Sequence, residues 1–164
     1  MKKKLYVESS VISYLTARLS KNIQILAKQE ATRSWWEIRD QYELYTSQLV
    51  LDEIGSGDTA AAHKRVVIIK TLPLLPTNNH VICAKDYLLK RDLIPISKQS
   101  DAEHIAIAAI NNMDYLVTWN QKHITNSNTA RAVHEALLEL GVASPLLVQP
   151  NHFLEDSDGL NDLA

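Results

Sequence analysis

Short apolar runs alternate along the chain with longer stretches in which apolar residues recur at helical spacing, and that alternation predicts the elements. Leu5-Tyr6-Val7 follows a lysine cluster and reads as a buried strand. Val11 to Leu15 has helical character, with Ser9 or Ser10 placed to cap it. From about 20 to 41 no strong turn signal occurs, and Ile23, Leu26, Ala27, Trp35 and Ile38 stand at helical spacing. Leu44-Tyr45-Thr46 reads as a second strand, and Ser47 caps a short helix running through Ile54. Gly55-Ser56-Gly57-Asp58 is the clearest break, ending that helix and capping another over 59–70. Pro73-Leu74-Leu75-Pro76 suits only an edge strand, because proline has no N–H for a ladder. Helices are expected over 79–91, 101–112 and 128–140, the last ended by Gly141, with Pro95 in the loop before Ser100. Strands are expected over 115–118 and at Leu146-Leu147-Val148, before Pro150. Strands and helices that alternate in this way predict an α/β domain with a mostly parallel sheet.

Composition narrows this modestly. At 164 residues one domain around one core is expected, covering residues 1–153, with an acidic tail over 154–164. Glu155, Asp156, Asp158 and Asp162 have no basic neighbour there, so residues 1–150 carry 17 basic against 15 acidic side chains. A mildly basic body fits brief contact with nucleic acid but fits ordinary enzymes equally well. The single cysteine, Cys83, excludes an internal disulfide and a thiolate metal site, and suggests a reducing cytoplasm. No segment approaches the roughly 18 to 20 apolar residues of a membrane span. Glu8 and two serines break the run that a signal peptide would need after Met1-Lys2-Lys3-Lys4, so a soluble, cytoplasmic protein is expected. No histidine pair has zinc spacing, and there is neither a glycine-rich phosphate loop nor a G-x-S-x-G elbow.

The polar residues become informative at one edge of the sheet. In a parallel α/β sheet, strand ends and the beginnings of the next helices share the edge where ligands bind. Glu8 directly follows the first strand, Asp101 starts the helix leading into the Tyr115 strand, and Asn120 follows that strand, so the three are expected to meet. Ser100 and Glu103 have capping-box spacing, which accounts for Asp101 as a first-turn acid with Glu103 as the cap. Ile105 to Ile110, however, is apolar on every side, so this helix is buried all round and its N-terminus is no ordinary surface. In the short helix before Gly55, Leu49, Val50, Leu51 and Ile54 centre the apolar face between Val50 and Ile54. Glu53 borders that face and Asp52 points away, which makes Glu53 the functional candidate. Asp114 falls at the opposite edge as a turn former. His104, one turn from Asp101, reads as a helix-packing residue, and His123 as a candidate phosphate contact. Trp35, Trp36 and Trp119 read as core or interface residues.

Tyr6-Val7-Glu8-Ser9-Ser10-Val11-Ile12, Leu51-Asp52-Glu53-Ile54, Asp101-Ala102-Glu103-His104-Ile105-Ala106 and Leu116-Val117-Thr118-Trp119-Asn120 occur in the order and spacing of PIN domains. Over roughly residues 4–150 the chain resembles these small nucleases, which include the VapC-type toxins of toxin–antitoxin pairs. The run Thr118 to Ile124 looks like one branch of them. The resemblance implies a three-layer α/β/α fold with a central, mostly parallel sheet. It also implies a site at which Glu8, Glu53 and Asp101 hold Mg²⁺ or Mn²⁺ for RNA cleavage, with Asn120 at the fourth catalytic position. Aspartate is usual at the positions of Glu8 and Asn120. The longer Glu8 shifts the expected ligand, and the uncharged Asn120 limits the carboxylate charge to −3, weakening any second metal. Lys98, Lys122 and His123 are the nearest candidates to draw in an RNA backbone, single-stranded or looped.

Expected partners are RNA, a cognate antitoxin whose basic side chain enters the acidic pocket, and a second copy, with the tryptophan-bearing helix near 35–38 supplying apolar area. The alternative, motivated by Glu8 and Asn120, is a catalytically weak PIN-like module that binds RNA or a protein. A small-molecule phosphohydrolase on a similar sheet is a third reading.

Overall fold

A computed structural model describes residues 1–154, so the acidic tail lies, from Glu155 onward, outside the described residues. The elements run β1 (Lys4–Val7), α1 (Ser9–Thr16), α2 (Ile23–Glu37), β2 (Glu43–Ser47), α3 (Gln48–Ile54), α4 (Thr59–Ile69), β3 (Leu74–Leu75), α5 (Asn79–Lys90), α6 (Gln99–Ile110), β4 (Tyr115–Val117), α7 (Ser127–Glu139) and β5 (Leu146–Val148). All five strands are parallel, in the order β3-β2-β1-β4-β5, and helices flank the sheet in a three-layer α/β/α arrangement. Parallel neighbours need long crossovers, and the helices supply them.

β1 is the central strand. Tyr6 faces Tyr45 of β2 on one side and Leu116 of β4 on the other, and Leu5, Tyr6 and Val7 are fully buried. A strand covered on both faces needs an unbroken apolar run, which is what the sequence holds there. The chain builds outward from β1 through β2 to β3, then returns to lay β4 and β5 on the other side. That reversal puts a topological switch point between β1 and β4, where α/β sheets open a crevice beyond the strand ends.

Four of the five prolines bracket the two outer strands: Pro73 and Pro76 around β3, Pro145 and Pro150 around β5. Pro73 lends its carbonyl to Thr46 N–H at 3.0 Å. Asp114 sits at the edge opposite the crevice, where its carboxylate accepts Lys4 N–H at 2.8 Å. Gly141 takes a left-handed φ of 71° after α7, and the next N–H, from Val142, reaches back to Leu137 O. No helix among the described residues is long and apolar enough to cross a membrane.

Several local expectations need correcting. The cap of α1 is Glu8, whose carboxylate accepts Ser10 N–H, and both serines lie inside the first turn. α6 begins at Gln99, with Lys98 at the cap position and no side-chain cap bond, so the Ser100–Glu103 capping box does not form. Glu103 instead pairs with Lys85 at 3.3 Å. α2 is capped by Asn22 and buries Gln29, Thr32 and Trp35, while Ile23 is 82% exposed. Trp35 is fully enclosed and offers no area to a second copy. Trp36 lies half-buried under Arg39. Trp119 is buried and donates its indole N–H to Thr32 Oγ1 at 2.8 Å.

Candidate metal centre

Glu8 leaves β1 at the switch point with its carboxylate turned inward, only 7% exposed. One oxygen, Oε2, accepts from Ser10 N–H (3.0 Å), the Ser10 hydroxyl and the Thr118 hydroxyl (2.7 Å). The Ser10 hydroxyl in turn accepts Trp119 N–H at 2.9 Å, tying the start of α1 to the end of β4. With Oε2 so occupied, Oε1 is the oxygen presented to the crevice.

Glu53 arrives from the last turn of α3, on the border of that helix's apolar face as its spacing predicts, while Asp52 is exposed and accepts from Gln48. Its carboxylate meets His104 Nε2 at 3.0 and 3.1 Å. His104 comes from the first half of α6 and is 1% exposed; its Nδ1 hydrogen-bonds the Tyr6 hydroxyl at 2.8 Å, and that hydroxyl also reaches Ser47 Oγ at 2.7 Å. The imidazole is therefore fixed at both nitrogens, as a ligand histidine with an outer partner is. Nε2 also lies 4.0 Å from Glu8 Oε1.

Glu8, Glu53 and His104 each offer one ligand atom, and these three atoms lie within 4.8 Å of one another. The compact trio thus has His104 where the resemblance implies Asp101. Asp101 stands beside it: its charge acts on His104, and it feels Glu8, His104 and His123 in turn. Its Oδ2 is buried and has no hydrogen-bond partner. A buried carboxylate oxygen in that condition is costly unless a proton or a cation completes it.

The electrostatics follow from this crowding. Burial pushes the Glu53 carboxyl up, but the hydrogen bond and charge of His104, with the Ser9 hydroxyl, outweigh it and leave Glu53 below its usual range. Burial pushes the His104 imidazolium down, yet the Glu53 hydrogen bond and the charges of Glu8, Glu53 and Asp101 raise it above its usual value. For Asp101 burial prevails: its carboxyl is raised despite the Asn120 amide and the two histidines. The Ser9 hydroxyl contacts both Glu8 Oε1, at 2.7 Å, and Glu53 Oε2. A hydroxyl has one hydrogen, so it satisfies one carboxylate and turns a lone pair to the other. A cation shared by the two acids removes that conflict. The donor set, the orphaned Asp101 oxygen and the divided Ser9 hydroxyl all fit a hard divalent ion.

Asn120 serves differently from a simple oxygen ligand. Its Oδ1 accepts His123 N–H at 3.1 Å and caps the single π-turn over Gln121–Thr125, while its amide supports the Asp101 carboxylate. Among the expected RNA contacts, His123 is brought to the centre. Lys98, at the head of α6, and Lys122 are exposed, with no bond to the site. His104 is buried in the helix packing as its spacing predicts, and it also joins the trio of candidate ligands, which the spacing alone does not show. Its signal was present in α6: a titratable side chain on a helix buried all round must find a partner.

No protein-family description matches the sequence, and no curated protein matches it at a significant level.

Proposed function

We propose that this chain is a metal-dependent endoribonuclease of the PIN type, the toxin half of a type II toxin–antitoxin pair acting in the cytoplasm. One observation carries the reading: Glu8, Glu53 and His104 converge at the switch point of the sheet, with the unpartnered Asp101 oxygen beside them. Glu8 Oε1, Glu53 and Asp101 would hold Mg²⁺ or Mn²⁺, with His104 Nε2 as a nitrogen donor once it has given up the proton it shares with Glu53. An imidazole in the set favours Mn²⁺ over Mg²⁺. When bound, the ion activates water and neutralises charge at the scissile phosphate.

The chain's own residues do the rest. Ser10 and Thr118 hold Glu8 in one rotamer, the Asn120 amide steadies Asp101, and Tyr6 fixes the His104 ring. His123 supplies a donor for a backbone phosphate. The carboxylates repel RNA, so affinity must come from cations outside the centre. The test is cleavage of single-stranded RNA with Mn²⁺. Asp101→Asn and Glu53→Gln each reduce it by roughly two orders of magnitude or more. Cleavage that persists in both variants and in excess chelator overturns the proposal.

A second reading, a catalytically weak module that binds RNA or protein, has its own supporting observation. His104 already compensates Glu53, and the Asn120 oxygen is committed to His123. Calorimetric titration separates the two: no heat with Mn²⁺ and no cleavage favours the binding module. An antitoxin and a second copy remain the proposed protein partners.

A further inference from the structure

α1 leads away from the centre with one face exposed along a groove. Ser10, Ser13, Tyr14 and Ala17 recur at i, i+3, i+4 and i+7, the spacing of a single helical face. Between this face and α2 lies a cavity of about 590 Å³ that begins at Ser10, whose hydroxyl holds Glu8. A second cavity, of about 320 Å³, lies between α1 and α4, and Ser13, Ala17 and Arg18 line both. Sharing these residues, the two adjoin as one channel that runs roughly 10 Å along α1, at about 1.5 Å per residue, from Ser10, the residue that hydrogen-bonds Glu8.

The far end of the channel is basic. Arg18, Lys64 and Arg65 line it against one acid, Asp58, whose carboxylate is occupied in capping Ala61 N–H. Arg65 is committed to structure, donating to the carbonyls of Ile54 and Ser56 at 3.0 and 2.9 Å. Nearby Arg33 likewise closes α1 through Ala17 O. Arg18 and Lys64 are exposed and, among the described residues, their side chains make no hydrogen bond or ion pair. The segment carrying Arg18 is nonetheless held in place. The buried Gln29 side chain donates to Arg18 O at 2.9 Å and accepts Ser20 N–H at 2.8 Å. The middle of the channel presents Tyr14, its ring set edge-on to Trp119 and half-buried.

We infer that this channel binds single-stranded RNA on one side of the cleavage point, with a base on Tyr14 and backbone phosphates at Arg18 and Lys64. The inference rests on the nuclease reading and names its substrate track. Charge complementarity selects the occupant: free cations at one end, an aromatic face in the middle and, beyond Ser10 at the other end, the proposed metal centre. An aromatic platform followed by a basic groove is the arrangement that holds unpaired strands without reading sequence.

Fluorescence anisotropy of a fluorescein-labelled single-stranded RNA, in EDTA at increasing KCl, tests it on the full chain. The carboxylate repulsion is common to every variant compared. R18Q/K64Q weakens binding about ten-fold or more and flattens the slope of log affinity against log salt by about 1.4, or roughly 0.7 per lost phosphate contact. Y14A weakens binding about ten-fold without changing that slope, and Y14F restores it. Mn²⁺-dependent hydrolysis of bis(p-nitrophenyl) phosphate, a diester too short to reach Arg18 and Lys64 from the carboxylate centre, is unchanged in R18Q/K64Q. Wild-type affinity and slope in R18Q/K64Q overturn the inference, as does loss of small-diester turnover in that variant. A wild-type chain that binds no RNA at low salt overturns it too and leaves the channel to a protein segment. Absence of wild-type diester turnover defeats the nuclease reading alone, because the salt slopes still decide the channel.

Discussion

His104 is enclosed among three carboxylates whose charges raise its pKa against the effect of burial, which gives the centre a pH signature of its own. Its folded pKa is raised above 6.5, so the stability it contributes is full below about 6.5 and is lost as pH rises through the folded value. Glu53 is lowered below 4.5, so its contribution is present above about 4.5 and disappears as pH falls through its folded value. Asp101, raised above 3.8, loses stability over the acid range in which Glu53 gains it, so the two partly cancel there. The loss that begins above about 6.5 therefore belongs to His104, while the raised and buried Tyr6 hydroxyl adds its own only above about 10. Thermal unfolding followed by circular dichroism across pH should show the midpoint falling as pH rises beyond about 6.5, and His104→Gln should flatten that limb. A limb that survives the substitution would assign it elsewhere. Asn120 makes a second residue-scale prediction. Asn120→Asp keeps an oxygen for His123 N–H but replaces a donor to Asp101 with a like charge. Urea denaturation without metal should show a loss of about 1–3 kcal/mol, the cost of leaving a buried acceptor unpaired. Added Mn²⁺ should stabilise this variant more than the wild type.

At the scale of elements, legibility in the sequence depended on whether a pattern reports burial or only spacing. The run Ile105 to Ile110 is apolar on every side, and α6 is buried along nearly its whole length. On α2, Ile23 shares helical spacing with Trp35, yet it is 82% exposed while Gln29 and Thr32 are inside. Polar side chains with internal partners there, Gln29 to the Arg18 segment and Thr32 to Trp119, invert the usual sorting, and periodicity cannot see partners. The same limit hid the cap of α1: a glutamate that must turn inward anyway displaced the serines. Glu53, by contrast, was legible because a carboxylate on the border of an apolar face has few places to go. The contrast is measurable by urea denaturation. Ile107→Ala should cost about 2–5 kcal/mol through the cavity it opens. Ile23→Ala should stay within about 0.5 kcal/mol. Equal losses would mean that α2 packs differently.

At the scale of the whole molecule, Glu8 joins β1 to α1, Glu53 lies on α3 and His104 on α6, so a cation held by them would tie separate elements together. Linkage then predicts a gain of about 2.7 kcal/mol at a Mn²⁺ concentration 100 times its dissociation constant. For a chain of this size that corresponds to a rise of roughly 5–10 °C in Tm, reversed by chelator. No shift at millimolar Mn²⁺ would argue for the metal-independent binding module. The prolines beside β3 and β5 act on a larger object still. A sheet with open flanks invites another copy to add its own strand, and such growth ends in fibres. Here each flank is interrupted before and after the strand by a residue that cannot donate, so lateral joining stops after two or three residues. Association between copies is therefore expected through helix faces, and concentrating the protein should yield no growth through the two margins of the sheet in light scattering.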